Sequence, residues 1–294
     1  MGNGLLYLVV LLVWGSTWFA IKFQIDNVSP LTSVFYRFIL ATAICGALVI
    51  ARKASLKFTR RQHLWFAFQG FCLYSMNYIL FYQSEKYIPS GLVAATFTLV
   101  IYLNMFGQQI FLKRKSSSQV FLSALIGGLG ITFLFWNQLV NFQTDQSGIH
   151  GLLLGVVATV FASGGNIISA RNQSEKIPIL SNNFWSMLYG SIVTLALLLA
   201  SGESLQIPWT PTYLASLFYL SLFGTVIAFQ AYLTLIGRIG PDRAAYANVM
   251  TPVIALMLSS VFEDFHWQWY TLLGALLCLL GNYFALRKKP LKIG

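Results

Sequence analysis

LIGRIGPDRAAYANVMTPVIALMLSSVFED, residues 235–264, is the segment of the sequence that decides the fold class. Pro241 can begin a helix without losing a hydrogen bond, and Asp242 favours the positive end of a helix dipole. Residues 244–262 carry no charge and are long enough, as a helix, to cross the hydrocarbon core of a bilayer. The segment therefore predicts a membrane-spanning helix that begins near Pro241.

A second segment, SGLVAATFTLVIYLNMFGQQIFLK at residues 90–113, has a similar shape. Its Ala94–Ala95 pair precedes Ala244–Ala245 by 150 residues. In this alignment Lys113 corresponds to Glu263, so the equivalent helix end carries opposite charges in the two places. Self-similarity of this kind predicts a chain that is built from two related halves.

The composition excludes most soluble classes of protein. Of 294 residues, 57% are hydrophobic and 9% are charged, whereas soluble domains have about 25% charged residues. The sequence therefore predicts an integral membrane protein with the lipid bilayer as its surroundings. Nineteen basic residues outnumber eight acidic ones, but the basic residues lie between apolar segments, where they set orientation, so no nucleic-acid partner is expected.

Apolar segments of about 20 residues recur along the whole chain, and each is long enough for one crossing. The fold class predicted is all-α and integral to the membrane, with ten transmembrane helices. The segments are 4–21, 31–51, 63–83, 90–111, 118–137, 149–170, 179–200, 212–236, 242–262 and 267–286.

Lys and Arg are distributed unevenly among the connecting loops. Sixteen of the 19 lie in one alternating set of loops and termini, two lie in the other set, and Arg37 lies inside the second apolar segment. Cytoplasmic loops carry the excess of basic residues. We therefore expect a multi-pass protein of the inner, or plasma, membrane with its N- and C-termini in the cytoplasm.

Two halves of five helices each must cross the membrane in opposite senses, because five is odd. The sequence thus predicts inverted repeats at residues 1–140 and 141–294, joined by the polar loop 138–148. Inverted five-helix halves are a common plan for transporters, with the substrate site near the middle of the bilayer.

The closing helices RIGPDRAAYANVMTPVIALMLSSVFED and TLLGALLCLLGNYFAL resemble those of EamA-type members of the drug/metabolite transporter superfamily, and the opening VWGSTWFAIKF resembles that family's first helix. The resemblance spans nearly the whole chain through loose motifs of small residues. It implies a ten-helix exporter of amino acids or related metabolites, with a cavity lined by helices one, three, four, six, eight and nine. The first half departs from the family pattern at Tyr102 and Lys113, where the second half has Pro252 and Glu263.

Polar and aromatic side chains within the apolar segments are the candidates for substrate binding, because polar groups inside a membrane usually face an interior, a partner or water. Helix packing and the aromatic belt at the membrane interface are the alternative explanation for many of them. The predicted substrate-binding residues are Trp14, Ser16, Trp18, Arg37, Asn77, Tyr78, Tyr82, Tyr102, Ser163, Asn166, Trp185, Gln230, Tyr246 and Asn248.

Two features have specific chemistry. Tyr74, Tyr78 and Tyr82 recur every fourth residue and are expected on one helix face, where they could stack on a substrate or hold an ammonium group. Arg37 lies about 10 Å along its helix from Pro30. It either snorkels or pairs structurally, or it attracts an anionic group such as a carboxylate.

Several kinds of chemistry have no signature in the sequence. No apolar segment has an acidic residue near its middle, which favours downhill or loosely coupled exchange over tight proton coupling; Glu85, at a segment end, is expected in solvent. No enzyme motif such as HExxH or GxSxG is present, and three isolated cysteines suggest neither metal nor disulfide. We therefore expect no enzyme, no cofactor and no metal.

The predicted function is export or exchange of small amphipathic metabolites, amino acids among them, by alternating access. Efflux of cationic drugs and carriage of nucleotide sugars are the alternatives from the same superfamily, and a membrane-embedded enzyme or a receptor is a further alternative. Small-residue spacings at Gly127 and Gly130, and at Gly274, Cys278 and Gly281, permit close helix contact. They fit either packing within a monomer or a homodimer.

Overall fold

A computed structural model of the chain describes residues 1–25, 28–88, 90–141, 146–262 and 267–287. All the regular secondary structure in these ranges is helical. The helices are α1 Asn3–Ile25, α2 Pro30–Ala51, α3 Arg60–Phe71, α4 Asn77–Ser84, α5 Ser90–Phe97, α6 Val100–Phe111, α7 Ser118–Leu134, α8 Trp136–Val140, α9 Gln146–Ser174, α10 Ile179–Ser201, α11 Pro211–Ser221, α12 Ala228–Ile239, α13 Pro241–Ala244, α14 Tyr246–Phe262 and α15 Trp269–Leu286.

Two pairs of these helices are continuous through π-helical turns. Residues Cys72–Met76 join α3 to α4, and residues Leu222–Ile227 join α11 to α12. The two π-helical segments begin 150 residues apart, at Cys72 and Leu222, which is the offset that separates the two Ala–Ala pairs. Each segment holds an extra residue per turn, so it rotates the side chains that follow relative to those before it.

Six helical stretches within the described ranges are long and apolar enough to cross a membrane by length and composition. Large apolar side chains such as Leu122, Leu153, Leu199 and Phe106 are exposed on the outside of the bundle. An apolar exterior of this extent suits contact with lipid. The six stretches are Pro30–Ala51, Arg60–Ser84, Gln146–Ser174, Ile179–Ser201, Pro211–Ile239 and Trp269–Leu286.

The quoted segment begins with the end of α12 and, from Pro241 on, forms two helices where the sequence predicted one. The chain turns at Gly240, whose φ of 93° is readily accessible to glycine, and α13 starts at Pro241 as expected. The helix then breaks at Ala245 before α14 begins. Segment 90–111 is likewise interrupted, between α5 and α6. Breaks inside apolar segments leave backbone groups free of intrahelical bonds, and neighbouring helices or a cavity must satisfy them.

The small residues of α7 and α15 let these two helices approach closely. A Cβ atom added at Gly130 would lie 2.6 Å from the sulfur of Cys278, and one at Gly274 would lie 2.5 Å from the backbone nitrogen of Leu134. Both distances are too short for a real side chain, so glycine is required at both positions. The predicted spacings therefore serve packing within one chain.

The remaining helices pack in pairs around the middle of the bundle. α2 lies against α10, α4 against α9, and α1 against α12 and α14. The expected connecting loop 138–148 contains the end of α8 and the beginning of α9; its residues 142–145 lie outside the described residues. This arrangement places the middles of α1, α9 and α12 around a central space.

Candidate binding cavity

A cavity of about 960 Å³, counted together with its opening, lies at the centre of the bundle. The walls come from α1, α2, α4, α5, α9, α12 and α14. The first π-helical segment and Glu85, directly after α4, complete them. Aromatic residues make up much of the wall: Trp14, Tyr78, Phe81, Tyr82, Phe97, Phe229 and Tyr232. The polar lining residues are Thr17, Arg37, Asn77, Glu85, Asn166, Asn248 and Thr251.

Arg37 is the most deeply buried charged residue in this wall, with 2% of its surface exposed. Its Nε donates a hydrogen bond to Oγ1 of Thr225 at 3.0 Å, and one terminal nitrogen donates to the carbonyl of Gly224 at 3.4 Å. The guanidinium also lies 5.0 Å from the ring centre of Tyr78. The other terminal nitrogen, Nη1, has no hydrogen-bond partner. The side chain is therefore held in place while one donor stays available.

The second π-helical segment positions both Arg37 and Trp14. The carbonyl of Gly224 accepts a hydrogen bond from the indole nitrogen of Trp14 at 3.1 Å as well as the one from Arg37. Gly224 also allows close approach, because an added Cβ atom would lie 2.8 Å from Thr17 and 3.2 Å from Arg37. A widened helical turn offers backbone acceptors that a regular α-helix keeps for itself. The segment thus fixes a cation and an indole on one side of the cavity.

Three further polar atoms of lining residues are without a partner. Oδ1 of Asn77, Oδ1 of Asn166 and the hydroxyl of Tyr82 are buried and make no hydrogen bond. The amide nitrogen of Asn166 donates to the hydroxyl of Tyr232 at 3.2 Å, and that of Asn248 lies 3.4 Å from the same hydroxyl. A buried polar group without a partner costs about 1–3 kcal/mol. Such groups are available to a bound solute that supplies the missing partner.

The structure brings half of the predicted site residues together in this cavity. Those that line it are Trp14, Arg37, Asn77, Tyr78, Tyr82, Asn166 and Asn248. The structure adds residues that sequence reasoning did not select as site residues: Thr17, Phe81, Glu85, Phe229, Tyr232, Thr251 and Pro252.

Six predicted site residues lie elsewhere, mostly in contacts between helices. The hydroxyl of Ser16 bonds to that of Tyr219 at 2.6 Å. The hydroxyl of Tyr246 donates to the carbonyl of Val120 at 2.6 Å. Ser163 is buried outside the lining. Tyr102 packs near Phe121 with their ring centres 6.3 Å apart, and Trp185 packs on His63 with ring centres 4.5 Å apart. Gln230 accepts a hydrogen bond from Asn183 at 3.3 Å.

The predicted stripe of three tyrosines is divided by the first π-helical segment. Tyr74 lies inside that segment and is fully buried, with its hydroxyl donating to Oδ1 of Asn183 at 3.1 Å. Tyr78 and Tyr82 follow the segment and line the cavity. The every-fourth-residue rule assumes a regular helix, and the wider turn breaks that register. The side chain of Trp18 lies outside the described residues.

Glu85 lies in the cavity wall, whereas the sequence had suggested solvent. It follows the last residue of α4 as its C-terminal cap and is half-buried. Burial raises the pKa of its carboxyl to about 7. Glu85 follows Tyr82 by three residues and therefore shares a helix face with it. That spacing was the sequence signal that could have identified it.

A layer of paired amides lies at the other end of the bundle. We call Gln69, Asn172, Asn182 and Asn183 the amide layer; all four are buried. Oε1 of Gln69 accepts hydrogen bonds from Asn182 at 3.1 Å and from Asn172 at 3.3 Å, and Asn172 also donates to Asn182 at 2.8 Å. Gln69 precedes Glu85 by 16 residues of nearly continuous helix, or roughly 24 Å. The amide layer thus lies well away from Glu85 along the bundle.

The sequence is similar to known transporters over its whole length. The profile of the EamA-like transporter family matches residues 2–136 and 149–287, so the chain belongs to that family. It is a membrane transporter. The chain is 26% identical to a probable amino-acid metabolite efflux pump of Escherichia coli K12, with 99% of this chain and 98% of that protein covered. It is 24% identical to the uncharacterized transporter YoaV of Bacillus subtilis 168, with 93% of each covered.

Two more comparisons bear on location and fold. The chain is 26% identical to the uncharacterized inner membrane transporter YedA of Escherichia coli K12, with 85% of this chain and 79% of that protein covered. A solved crystal structure superposes with a TM-score of 0.81 at 17% identity, covering 97% of this chain and 96% of the other. At that identity the superposition shows a shared fold.

Proposed function

We propose that the protein exports or exchanges small amphipathic metabolites that carry a carboxylate, amino acids and related compounds, across the inner membrane. The observation that carries this proposal is the set of unpartnered polar atoms in an aromatic cavity: Nη1 of Arg37, Oδ1 of Asn77, Oδ1 of Asn166 and the hydroxyl of Tyr82. Arginine binds carboxylates through charge-assisted hydrogen bonds. The aromatic wall suits the apolar part of the same molecule.

Arg37 favours a carboxylated substrate over the alternatives. No acidic residue forms an ion pair with Arg37 in the described ranges. The buried positive charge is therefore without a counterion there, and an anionic substrate can supply one. A cation without a carboxylate would leave this buried charge without a counterion. A nucleotide sugar carries several negative charges, whereas Arg37 is the single cationic side chain among the described residues of the lining. The name of the Escherichia coli relative, an amino-acid metabolite efflux pump, points to the same class.

Alternating access of two inverted five-helix halves is the proposed mechanism. The helix contacts support it, because exchanging the two halves leaves the set of contacts unchanged. The contacts of α2 with α10 and of α7 with α15 correspond to themselves, and the contact of α4 with α9 corresponds to that of α12 with α1. The two π-helical segments also share the 150-residue offset. Separate family matches to residues 2–136 and 149–287 support two repeats. We propose ten membrane crossings in total.

The described conformation fits one end state of that cycle. The bias of basic residues toward one set of loops supports cytoplasmic chain termini, and the amide layer lies toward that side. The cavity extends instead toward the end of α4 and Glu85. We propose that this conformation is open to the outside and closed to the cytoplasm by the amide layer.

Counterflow of radiolabelled amino acids in proteoliposomes tests the proposal. Purified protein should accelerate uptake when the vesicles contain unlabelled amino acid. Arg37→Gln should weaken the apparent affinity for carboxylated substrates about tenfold or more, since a buried charge-assisted bond contributes about 1.5–3 kcal/mol. Arg61→Gln is the matched control, because Arg61 is exposed and lies outside the lining. Absence of counterflow for every carboxylated solute would overturn the function, and unchanged affinity in Arg37→Gln would remove the role of Arg37.

A further inference from the structure

The wall of the cavity holds a negative group as well as a positive one. Glu85 lies at the end of α4 and Arg37 lies deeper, on α2. Glu85 forms no ion pair with Arg37 or with any other side chain in the described ranges. The Tyr82 hydroxyl lies beside Arg37 and within electrostatic range of Glu85. Two opposite charges in one partly buried cavity, not paired with each other, leave both open to a ligand.

We propose, on the basis of the function proposed above, that Glu85 is the subsite for a cationic amine, so that the cavity selects zwitterions. The carboxylate of the substrate would bind Nη1 of Arg37, and its ammonium group would bind the Glu85 carboxylate. A molecule with only one of the two charges would leave the other protein charge without a partner. Zwitterionic amino acids therefore form the substrate class, rather than carboxylic acids in general.

The spacing of the helix agrees with a ligand of this size. The Arg37 guanidinium lies over Tyr78, and Glu85 follows Tyr78 by seven residues, which is about 10 Å along a helix axis. An α-amino acid bound through hydrogen bonds of ~2.8 Å at its carboxylate and at its ammonium group bridges roughly 9 Å between protein charges. Asn77 and Asn166 supply further acceptor oxygens in the same cavity wall.

Charge on Glu85 depends on pH within the physiological range. Burial raises the pKa of the carboxyl to about 7, so Glu85 is ionised above that pH and protonated below it. An ammonium group binds the ionised form, and the amine subsite is therefore lost as pH falls through 7. The titratable groups that line the cavity with Glu85 are Arg37 from α2, Tyr78 and Tyr82 from α4, and Tyr232 from α12. Next to Glu85 in the sequence, Lys86 is exposed, and Tyr87 packs on His150 from α9 with ring centres 5.0 Å apart. The side chain of Lys22 in α1 lies outside the described residues.

Competition binding with matched pairs of ligands tests this assignment. Leucine is paired with 4-methylpentanoate and phenylalanine with 3-phenylpropanoate, so each pair differs in the amine alone. Purified wild-type protein in detergent should bind the amino acid about tenfold more tightly than the deaminated acid at pH 8, and the ratio should fall toward one at pH 6. Glu85→Gln should give a ratio near one at both pH values while the deaminated acids still bind.

Two control variants keep the result interpretable. Glu85→Asp retains the charge and should keep most of the preference, which a folding defect would not. Glu175→Gln, on a partly exposed ion pair with Arg171 at 3.6 Å, should leave the ratio unchanged. Equal binding within both pairs in the wild type, or a ratio that survives in Glu85→Gln, would overturn the inference while the transport function stands. A pH dependence of the ratio that persists in Glu85→Gln would likewise overturn it. Failure of both members of both pairs to bind would overturn the inference together with the amino-acid substrate class.

Discussion

The amide layer and the binding cavity both contain buried asparagines but differ in how the polar atoms of these side chains are paired. In the amide layer, Asn172, Asn182 and Asn183 have both amide atoms hydrogen-bonded, and Gln69 has one unpaired nitrogen. In the cavity, Asn77 and Asn166 each keep an acceptor without a partner. Satisfied polar networks rigidify a buried contact, whereas unsatisfied groups favour a ligand. Pairing, rather than polarity, therefore distinguishes the amide layer from the binding cavity.

The close contact between α3 and α10 beside the amide layer gives the largest expected effect. A Cβ atom at Gly70 would lie 2.2 Å from the carbonyl oxygen of Ser186 and 2.8 Å from the backbone nitrogen of Gly190. Because both obstacles are backbone atoms, Gly70→Val should lower the free energy of unfolding by about 3 kcal/mol or more. Thermal unfolding in detergent measures this.

The matched control for that variant is Gly164→Ala in α9. An added Cβ atom at Gly164 would have Cys72 Sγ as its near neighbour at 3.7 Å, an ordinary contact. The variant should unfold at the wild-type temperature or slightly above it, because alanine favours helix by about 1 kcal/mol over glycine. Equal unfolding temperatures for Gly70→Val and the wild type would show that α3 and α10 do not approach as described.

Replacing one asparagine in the amide layer should lower stability, whereas replacing one in the cavity should lower substrate affinity. Asn172→Leu removes the donor to Gln69 and to Asn182 and should lower the free energy of unfolding by about 1–3 kcal/mol. Asn77→Leu removes an acceptor that has no protein partner, so stability should change little while amino-acid affinity falls about tenfold. Thermal unfolding and competition binding on both variants measure the contrast. A larger loss of stability in Asn77→Leu than in Asn172→Leu would refute it.

The smallest expected effect is a difference in chemical accessibility. Phe81→Cys places a thiol in the cavity wall and Asn182→Cys places one in the amide layer, where Asn182 is 1% exposed. A membrane-impermeant thiol reagent added from outside should label the first about tenfold faster or more. Cys72 is half-buried and is replaced by alanine in both backgrounds, whereas Cys45 and Cys278 are buried. Equal labelling rates would mean that the amide layer does not close the bundle.

Much of the helical framework follows from the sequence, because apolar length and cap residues act locally. Pro241 begins α13 and Pro30 begins α2, where Ser29 accepts a hydrogen bond from the backbone nitrogen of Thr32 at 3.2 Å. The small residues of α7 and α15 were recognisable as contact surfaces. These features depend on segments that hydropathy and residue size identify directly.

The sequence predicted the residues that line the cavity less well. Tyr74 was expected beside Tyr78, and the π-helical segment separates them. Tyr246 was expected to face a substrate, and its hydroxyl is bonded to Val120 instead. Glu85 was expected in solvent, and the neighbouring helices enclose it in the wall. A polar residue in an apolar helix has several possible neighbours, and the sequence of one helix does not contain them.

The sequence by itself determined that this chain is helical, that it lies in a membrane and that it belongs to a family of transporters, because composition, apolar length and motifs are properties of the chain alone. Tertiary structure decided which polar side chains pair with each other and which remain for a ligand. That decision rests on contacts between distant residues, such as Arg37 with Thr225 and Asn172 with Gln69. Such contacts exist only after packing has set the rotation and depth of every helix.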